Sequence, residues 1–283
     1  MKILVTGAKG MLGQDLCPIL EDVGAFVIET DIDTLDITNA EQVKQVLTDV
    51  RPDMVIHCAA YTNVDKAEED LKTAELINVT GTENIAETCG KLGITLVYIS
   101  TDYVFDGESV EPYTPEDMPN PINNYGATKY EGEEAVRSLC EKYYIVRTSW
   151  LYGHHGKNFV ETMLALADRN EINVVDDQVG CPTWTVELAN GILKLLSKPY
   201  GTYHICGSGF TTWYGFAKEI FAQYNRQAPS PLEGEGWGEG LKPCTTEGFP
   251  RPAKRPKFSV MDNCGLCRNW QAALHDYLEL RNI

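Results

Sequence analysis

The chain has 283 residues, of which 43% are hydrophobic, enough for a full core in one large domain or two closely joined ones. Its 41 acids outnumber its 24 bases and give a net charge of -17. This disfavours nucleic acid, which binds clustered cations, and favours a small-molecule partner. No apolar run approaches the roughly 20 residues that span a bilayer, and the N-terminus turns glycine-rich too early for a signal peptide. We therefore predict a cytoplasmic protein without membrane contact.

The first half of the chain alternates short apolar runs with amphipathic ones. Four runs rich in Val and Ile, each stopped by Gly, Asp or Ser, predict buried strands: KILVTG, FVIETD, DMVIHCAA and TLVYISTD. The segments between and after them have the helical spacing of Leu, Val, Ile and Ala. This order predicts an α/β fold of the Rossmann type, a doubly wound parallel sheet with helices on both faces. We assign residues 1–150 to this dinucleotide-binding domain, completed by later segments.

After residue 150 the alternation loosens. Two segments, EINVVDDQVGCPTWTVELANGILKLLSKP and GTYHICGSGFTTWYGFAKEIFAQYN, each predict a short strand, a loop and a helix. Residues 151–283 are therefore expected to form mainly a smaller substrate-binding domain at the carboxyl ends of the strands, where such sheets bind ligands. Residues 228–240, APSPLEGEGWGEG, have a composition that does not pack a core. We predict an exposed loop there and assign it no function.

The first predicted strand runs directly into the glycines of TGAKGMLG, which are Gly7, Gly10 and Gly13. Glycines allow close approach of a pyrophosphate, and the helix that follows offers its N-H groups and positive dipole. The second strand ends near Asp31, which can bind the adenosine ribose and would repel a 2'-phosphate, favouring NADH. Lys9 can pair with that phosphate instead, so NADPH or NADH stays open. Asp31 is equally well explained as an ordinary loop acid.

The stretch NNYGATKYEG predicts a helix start, with an asparagine cap and acids in the early turns. Residues four apart share one helical face, so the Tyr125 phenol and the Lys129 ammonium can point together into a cleft. Thr101 and Asp102 follow the strand TLVYIS, at the edge where a nicotinamide and its substrate meet. A hydroxyl in that position can donate to a developing alkoxide.

The motifs TGAKGMLG, CAAYTNVDKAE, STDYVFDG, NNYGATKYEGE and RTSWLYG together resemble the extended short-chain dehydrogenase/reductases, a likeness that covers nearly the whole chain. The resemblance implies hydride transfer from NADPH or NADH to the C4 ketone of a 4-keto-6-deoxy sugar carried on dTDP. Two alternatives stay open: another nucleotide-sugar reductase or epimerase of the same superfamily, and a non-catalytic nucleotide-binding regulatory subunit.

The same resemblance implies roles for the catalytic and substrate residues. Tyr125 would be the general acid, and Lys129 would lower the pKa of Tyr125 and hold the nicotinamide ribose. Thr101 would bind the carbonyl oxygen. The remaining substrate contacts implied are Asp102 and Trp150 at the sugar, and Asn158 and Arg255 near the diphosphate.

For the cofactor, the resemblance implies three groups of contacts beyond the glycines, Asp31, Tyr125 and Lys129. The pyrophosphate would lie along Gly10, Met11 and Leu12, the adenine along Asp36 and Ile37, and the middle of the cofactor along Ala59, Ala60 and Tyr61.

Some members of the family are dimers with magnesium bridged by glutamates. The matching acids here are Asp15, which has a shorter side chain, Glu187, and Glu279, which is one position out of register. We predict no catalytic metal, because hydride transfer to a ketone that Tyr125 protonates does not require one. A monomer and a homodimer both remain open.

Overall fold

The computed structural model describes residues 1–227 and 240–281. Residues 228–239 of the predicted loop therefore lie outside the described part of the chain. Within the described ranges the strands are β1 (Lys2–Thr6), β2 (Phe26–Thr30), β3 (Met54–His57), β4 (Thr95–Thr101), β5 (Tyr143–Thr148), β6 (Leu151–Tyr152), β7 (Ile172–Val175), β8 (Val179–Gly180), β9 (Thr183–Trp184), β10 (Gly201–His204), β11 (Thr211–Thr212) and β12 (Leu241–Cys244). The four strands predicted in the first half are confirmed, each slightly shorter than its apolar run.

The helices over the same ranges are α1 (Met11–Asp22), α2 (Ala40–Val50), α3 (Val64–Glu69), α4 (Leu71–Glu75), α5 (Gly81–Leu92), α6 (Asn124–Leu139), α7 (Phe159–Ala165), α8 (Thr185–Leu195), α9 (Trp213–Gln227) and α10 (Trp270–Arg281). The segment AELINVTGTENIAETCGKLG, which has helical spacing in the sequence, is helical in the structure, with a π-helical turn, Leu76–Thr80, between α4 and α5. In the described part of the chain, no helix is both long and apolar enough to cross a bilayer.

Six strands form one sheet in the order β10-β5-β4-β3-β1-β2, and every neighbouring pair is parallel. The predicted Rossmann-type α/β fold is confirmed. From β1 the chain moves outward to β2 and then returns to β3 on the other side of β1. Ligands of such sheets bind where the strand order reverses, outside the carboxyl ends of the strands. The candidate cleft is therefore the one above β1 and β3.

Alternate residues of each strand face opposite layers of helices. Ile3 and Val5 belong to a core with α1 and α8, while Leu4 belongs to a core with α2, α5 and α6. All three side chains are fully buried, as expected for a parallel strand that is covered on both faces. Both α8 and β10 come from the second half of the chain, so later segments complete the sheet.

A further apolar cluster lies in the second half. It joins α7, α9 and α10 to β7 and β9, with Phe216, Trp270 and Tyr277 among its buried aromatic side chains. A smaller cluster around Phe105 and Val260 connects the loop after β4 to the segment that follows β12. The smaller cluster places the second half against the carboxyl end of β4, where Thr101 and Asp102 lie.

Candidate active site

The glycine-rich turn after β1 has the close packing that a dinucleotide site requires. Gly7 has φ +66°, in the left-handed region, and a Cβ there would lie 2.7 Å from the Ala59 backbone nitrogen. A Cβ on Gly13 would lie 2.5 Å from the Cα of Ala8. Gly10 is the N-cap residue of α1, and no side chain accepts a hydrogen bond from the first N-H groups of the helix. The positive end of the helix is therefore open to an anion. The turn therefore fits the pyrophosphate of a dinucleotide.

The other predicted cofactor residues lie around this turn. Met11 and Leu12 are in the first turn of α1, and the Leu12 side chain is buried in the core, which leaves only its main chain for a ligand. Asp36 accepts hydrogen bonds from the backbone nitrogen and the hydroxyl of Thr38 at 2.9 and 2.7 Å. Ile37 is buried against Gly81. Contacts between these residues and a cofactor stay predictions.

Ala59, Ala60 and Tyr61 follow β3 after Cys58, and a buried asparagine that the sequence reasoning missed holds Tyr61. Asn78 accepts from the Tyr61 backbone nitrogen at 2.8 Å and donates to the Tyr61 carbonyl and to the Thr128 hydroxyl, both at 3.1 Å. It lies in the π-helical turn, a feature that often marks functional sites. In the sequence, Asn78 could have been recognised as the one polar residue inside the otherwise apolar run LINV.

The turn after β2 brings two carboxylates to the glycine loop. Asp31 accepts a hydrogen bond from the Lys9 backbone nitrogen at 2.9 Å. The Lys9 ammonium lies 2.6 Å from the carboxylate of Asp33, which the sequence reasoning did not single out. The cation considered for a 2'-phosphate therefore already has an anionic partner, and both members of this ion pair are exposed.

The predicted helix start is confirmed, and it places the Tyr-x-x-x-Lys pair. The Asn123 side chain caps α6 by accepting from the Gly126 backbone nitrogen at 2.8 Å. Thr101, at the end of β4, donates to Asp102 at 3.0 Å, and its side chain lies close enough to Tyr125 to lower the pKa of the phenol, against the larger effect of burial. Two of the predicted catalytic hydroxyls are thus adjacent.

Asp102 is buried, with 2% of its surface exposed. Its second oxygen accepts from the Ser259 hydroxyl at 2.7 Å, a partner from the far end of the chain that sequence spacing did not reveal. Burial raises the pKa of Asp102 to about 6, and the hydrogen bonds from Ser259 and Thr101 oppose that rise. The carboxylate thereby holds the Thr101 side chain in one orientation.

The expected lowering of the Tyr125 pKa is wrong for this structure. Burial raises the pKa of Tyr125 and outweighs the neighbouring Thr101 hydroxyl, which lowers it. The Lys129 ammonium lies over the ring of Tyr98, 4.1 Å from its centroid. Burial lowers the pKa of Lys129 to about 7. Tyr125 is consequently protonated at neutral pH, which is the form that a general acid requires.

A cavity of about 500 Å³ lies between this site and the second half of the chain. Its polar side holds Tyr103, which is edge-on to Tyr125 with ring centroids 5.8 Å apart. Arg255 also lines this side and donates to Asp65 at 2.6 Å. The cavity is also lined by the acids Asp65 and Glu171 and by a set of apolar and cationic side chains: Phe159, Met163, Leu166, Val174, Trp213, Arg169 and Arg251. Such a cavity suits a nucleotide, with an apolar wall for a base and guanidinium groups for phosphates.

Trp150 and Asn158 have structural partners. Trp150 adopts φ +47° and stacks on Trp213, with ring centroids 3.6 Å apart, so that Trp213 is the indole that lines the cavity. Asn158 caps α7 by accepting from the Glu161 backbone nitrogen at 3.1 Å, and it donates to the Gly153 carbonyl at 2.7 Å. Contact of Trp150 or Asn158 with a substrate stays a prediction.

The acids considered for magnesium each contact another protein group in the structure. Asp15 accepts from the Thr185 hydroxyl, and Glu187 accepts from the Arg268 guanidinium at 2.7 Å. Glu279 pairs with His275 of its own helix at 3.2 Å. Each acid therefore has a separate protein partner.

The chain matches the RmlD substrate binding domain family over residues 1–281. It is similar to the crystal structure of a dTDP-4-dehydrorhamnose reductase from Clostridium acetobutylicum, with 46% identity, a TM-score of 0.93 and full coverage of both chains. It is also similar to the dTDP-4-dehydrorhamnose reductase of Bacillus anthracis in complex with NADP, with 42% identity, a TM-score of 0.92 and 99% coverage of both chains.

A third relative is named after a different sugar. The dTDP-4-keto-6-deoxy-D-glucose reductase of Streptomyces niveus is 39% identical, covering 99% of this chain and 97% of the relative. The named relatives share a dTDP-sugar and a reduction, while the configuration of the sugar differs between them.

Proposed function

The chain belongs to the RmlD substrate binding domain family, and on this basis we propose that it reduces the C4 ketone of dTDP-4-dehydro-6-deoxy-L-mannose to give dTDP-L-rhamnose. The observation that carries the proposal is the adjacency of Thr101, at the end of β4, and Tyr125, at the start of α6. The bound NADPH or NADH supplies the hydride. The intact Thr101, Tyr125 and Lys129 favour this enzyme over a non-catalytic nucleotide-binding subunit.

The hydroxyls of Thr101 and Tyr125 bind the carbonyl oxygen of the substrate. Thr101, oriented by Asp102, lies beside Tyr125, so that both oxygens can contact one carbonyl oxygen. Negative charge develops on that oxygen during reduction. The Tyr125 phenol can donate to it directly, and Thr101 can donate once its proton turns from Asp102 to the substrate. Tyr125 then gives up its phenolic proton to the alkoxide. Burial, which keeps Tyr125 protonated, does not prevent this step, because an alkoxide is a much stronger base than a phenolate.

The cavity orients the rest of the substrate. Arg255 and Tyr103 line its polar side, next to Tyr125, and we assign the diphosphate to this side. The apolar wall around Phe159 and Trp213 is then left for the base. Binding energy from these remote groups holds the ketone against the two hydroxyls, which favours the reaction by orientation.

The direct test is to incubate the protein with dTDP-4-dehydro-6-deoxy-L-mannose and NADPH or NADH. We expect the absorbance of the reduced cofactor to fall only when protein and sugar are both present, and dTDP-L-rhamnose to accumulate. A folded protein without turnover on either donor would contradict the proposal and favour the binding subunit.

The Streptomyces niveus relative supports a second candidate, a reductase of the same class acting on a differently configured dTDP-4-keto-6-deoxy sugar. Proton NMR of the product separates the two, because the coupling constants at C4 report the configuration of the new hydroxyl. A product other than the rhamno isomer, or turnover only with the gluco-configured ketone, would select the second candidate.

The carboxylates at the end of β2 are expected to disfavour NADPH relative to NADH. Changing Asp31 to Asn keeps its shape and removes its charge beside the Lys9 backbone. We expect the ratio of kcat/KM for NADPH to that for NADH to rise about 3- to 10-fold, in keeping with the modest energy of exposed charge pairs. Asp49→Asn, which removes an exposed charge at the end of α2, is the control. An unchanged ratio in Asp31→Asn would make Asp31 an ordinary loop acid.

A further inference from the structure

Glu133 is a fully buried carboxylate on α6, one helical turn after Lys129. One of its oxygens accepts from Ser100 at 2.6 Å and from the Nε of Arg147 at 2.9 Å. The other accepts from the Nη2 atoms of Arg147 and Arg137 at 2.8 and 2.7 Å. Four hydrogen bonds thus converge on a side chain that the reaction described above does not use.

These bonds connect the elements that carry the catalytic groups. Ser100 immediately precedes Thr101 on β4, Arg147 lies on β5, and Glu133 shares α6 with Tyr125 and Lys129. The carboxylate therefore joins the end of the strand that holds Thr101 to the helix that holds the other two groups.

Stability alone is a poor explanation for this arrangement. The Arg147 side chain is 1% exposed and that of Glu133 is 0% exposed. Taking two charges out of water costs several kcal/mol per ion, and apolar residues of similar volume are often at least as stabilising. What a buried carboxylate adds over an apolar side chain is directed hydrogen bonding and negative charge beside Lys129.

Lys129 has few groups around it that can compensate its charge. From β3 and the residue after it come His57 and Cys58, and from β4 comes the face of Tyr98. Tyr125 and Glu133 share its own helix. Burial lowers the pKa of His57 to about 3, so the imidazole is neutral. Among these described neighbours Glu133 is the carboxylate, and its charge raises the Lys129 pKa that burial lowers.

We propose that Glu133 is a positioning residue for the reduction, keeping Lys129 charged and holding Thr101, Tyr125 and Lys129 in one arrangement. The inference rests on the proposed function for its kinetic consequence. Its electrostatic part concerns the folded protein alone and can be tested without substrate.

The test is the pH dependence of kcat/KM in Glu133→Gln, which retains the shape of the side chain and removes its charge. Activity that needs charged Lys129 is present below the pKa of Lys129 and lost as the pH rises through it. Without Glu133 that pKa falls further, so we expect the alkaline limb of the profile to move to lower pH by roughly one unit.

Arg137→Gln is the matched control, because it removes a partly exposed donor to the same carboxylate and leaves Ser100 and Arg147 in place. Its alkaline limb should not move to lower pH. If Glu133→Gln does not fold, the double variant Glu133→Gln/Arg147→Met removes both buried charges and should show the same downward shift. An unshifted limb in a folded variant overturns the proposal.

A second measurement separates this inference from the proposed reaction. In protein labelled with carbon-13 lysine, the Lys129 resonance, identified by its loss in Lys129→Met, is titrated in wild type and in Glu133→Gln. A lower midpoint in the variant supports the inference even if the wild type turns over no sugar. Equal midpoints overturn it even if the wild type is an active reductase.

Discussion

Changing Tyr125 to Phe is expected to lower turnover by a factor of about 100 or more, the usual contribution of a positioned general acid. The ring and its edge-on contact with Tyr103 are retained, while the proton donor beside Thr101 is lost. Affinity for NADPH should stay nearly unchanged, because Lys129 and the glycine turn are intact. Stopped-flow or steady-state loss of NADPH absorbance measures turnover, and NADPH fluorescence measures binding.

Tyr130→Phe is the matched control for this experiment. Tyr130 lies on the same helix, five residues after Tyr125, and packs against the small cluster around Phe105. Removal of its hydroxyl should leave turnover close to that of the wild type. If Tyr125→Phe retained wild-type turnover, Tyr125 would have no part in proton transfer, and Thr101 or a water molecule would have to supply the proton.

Changing Gly7 to Ala is expected to weaken NADPH binding by a factor of at least about 10, since a displacement of the turn moves several backbone N-H groups away from the pyrophosphate. The new Cβ would lie 2.7 Å from the backbone of Ala59, which has no flexible side chain to move aside. The left-handed backbone adds roughly 1–2 kcal/mol of strain for a residue other than glycine. Fluorescence titration with NADPH and urea unfolding measure the two effects.

Gly24→Ala distinguishes the contact from the strain. Gly24 also has a left-handed backbone, with φ +83°, but nothing lies within 4 Å of its added Cβ. This variant should lose the backbone contribution to the free energy of unfolding and keep normal NADPH affinity. Equal losses of NADPH affinity in Gly7→Ala and Gly24→Ala would show that the approach of Ala59 to Gly7 is irrelevant to the cofactor site.

Much of the site could be predicted because its signals are local. The glycine spacing, the asparagine cap and the four-residue interval between Tyr125 and Lys129 each depend on a few adjacent residues. The backbone geometry of a turn or a helix brings those residues together, independently of residues elsewhere in the chain. The order of apolar runs likewise predicted the parallel sheet, since alternating strands and helices have few other ways to bury their apolar faces.

Other features depend on partners far away in sequence. Ser259 reaches Asp102, Asp65 holds Arg255, and Asn78 joins Tyr61 to Thr128. Nothing in the spacing of these residues relates one partner to the other. The π-helical turn that presents Asn78 was also hidden, because helical periodicity continues through it in the sequence.

The charged groups of the site show most clearly the difference between what local sequence predicts and what tertiary structure decides. The neighbouring Tyr125 and Lys129 suggested that an ammonium would lower the pKa of the phenol, yet the fold buries both groups and sets the ammonium over the ring of Tyr98. Sequence alone determined which chemical groups are present and on which local elements they lie. Tertiary structure decided their burial and their nearest charges, including that of Glu133, because desolvation and Coulomb interactions depend on distances through space.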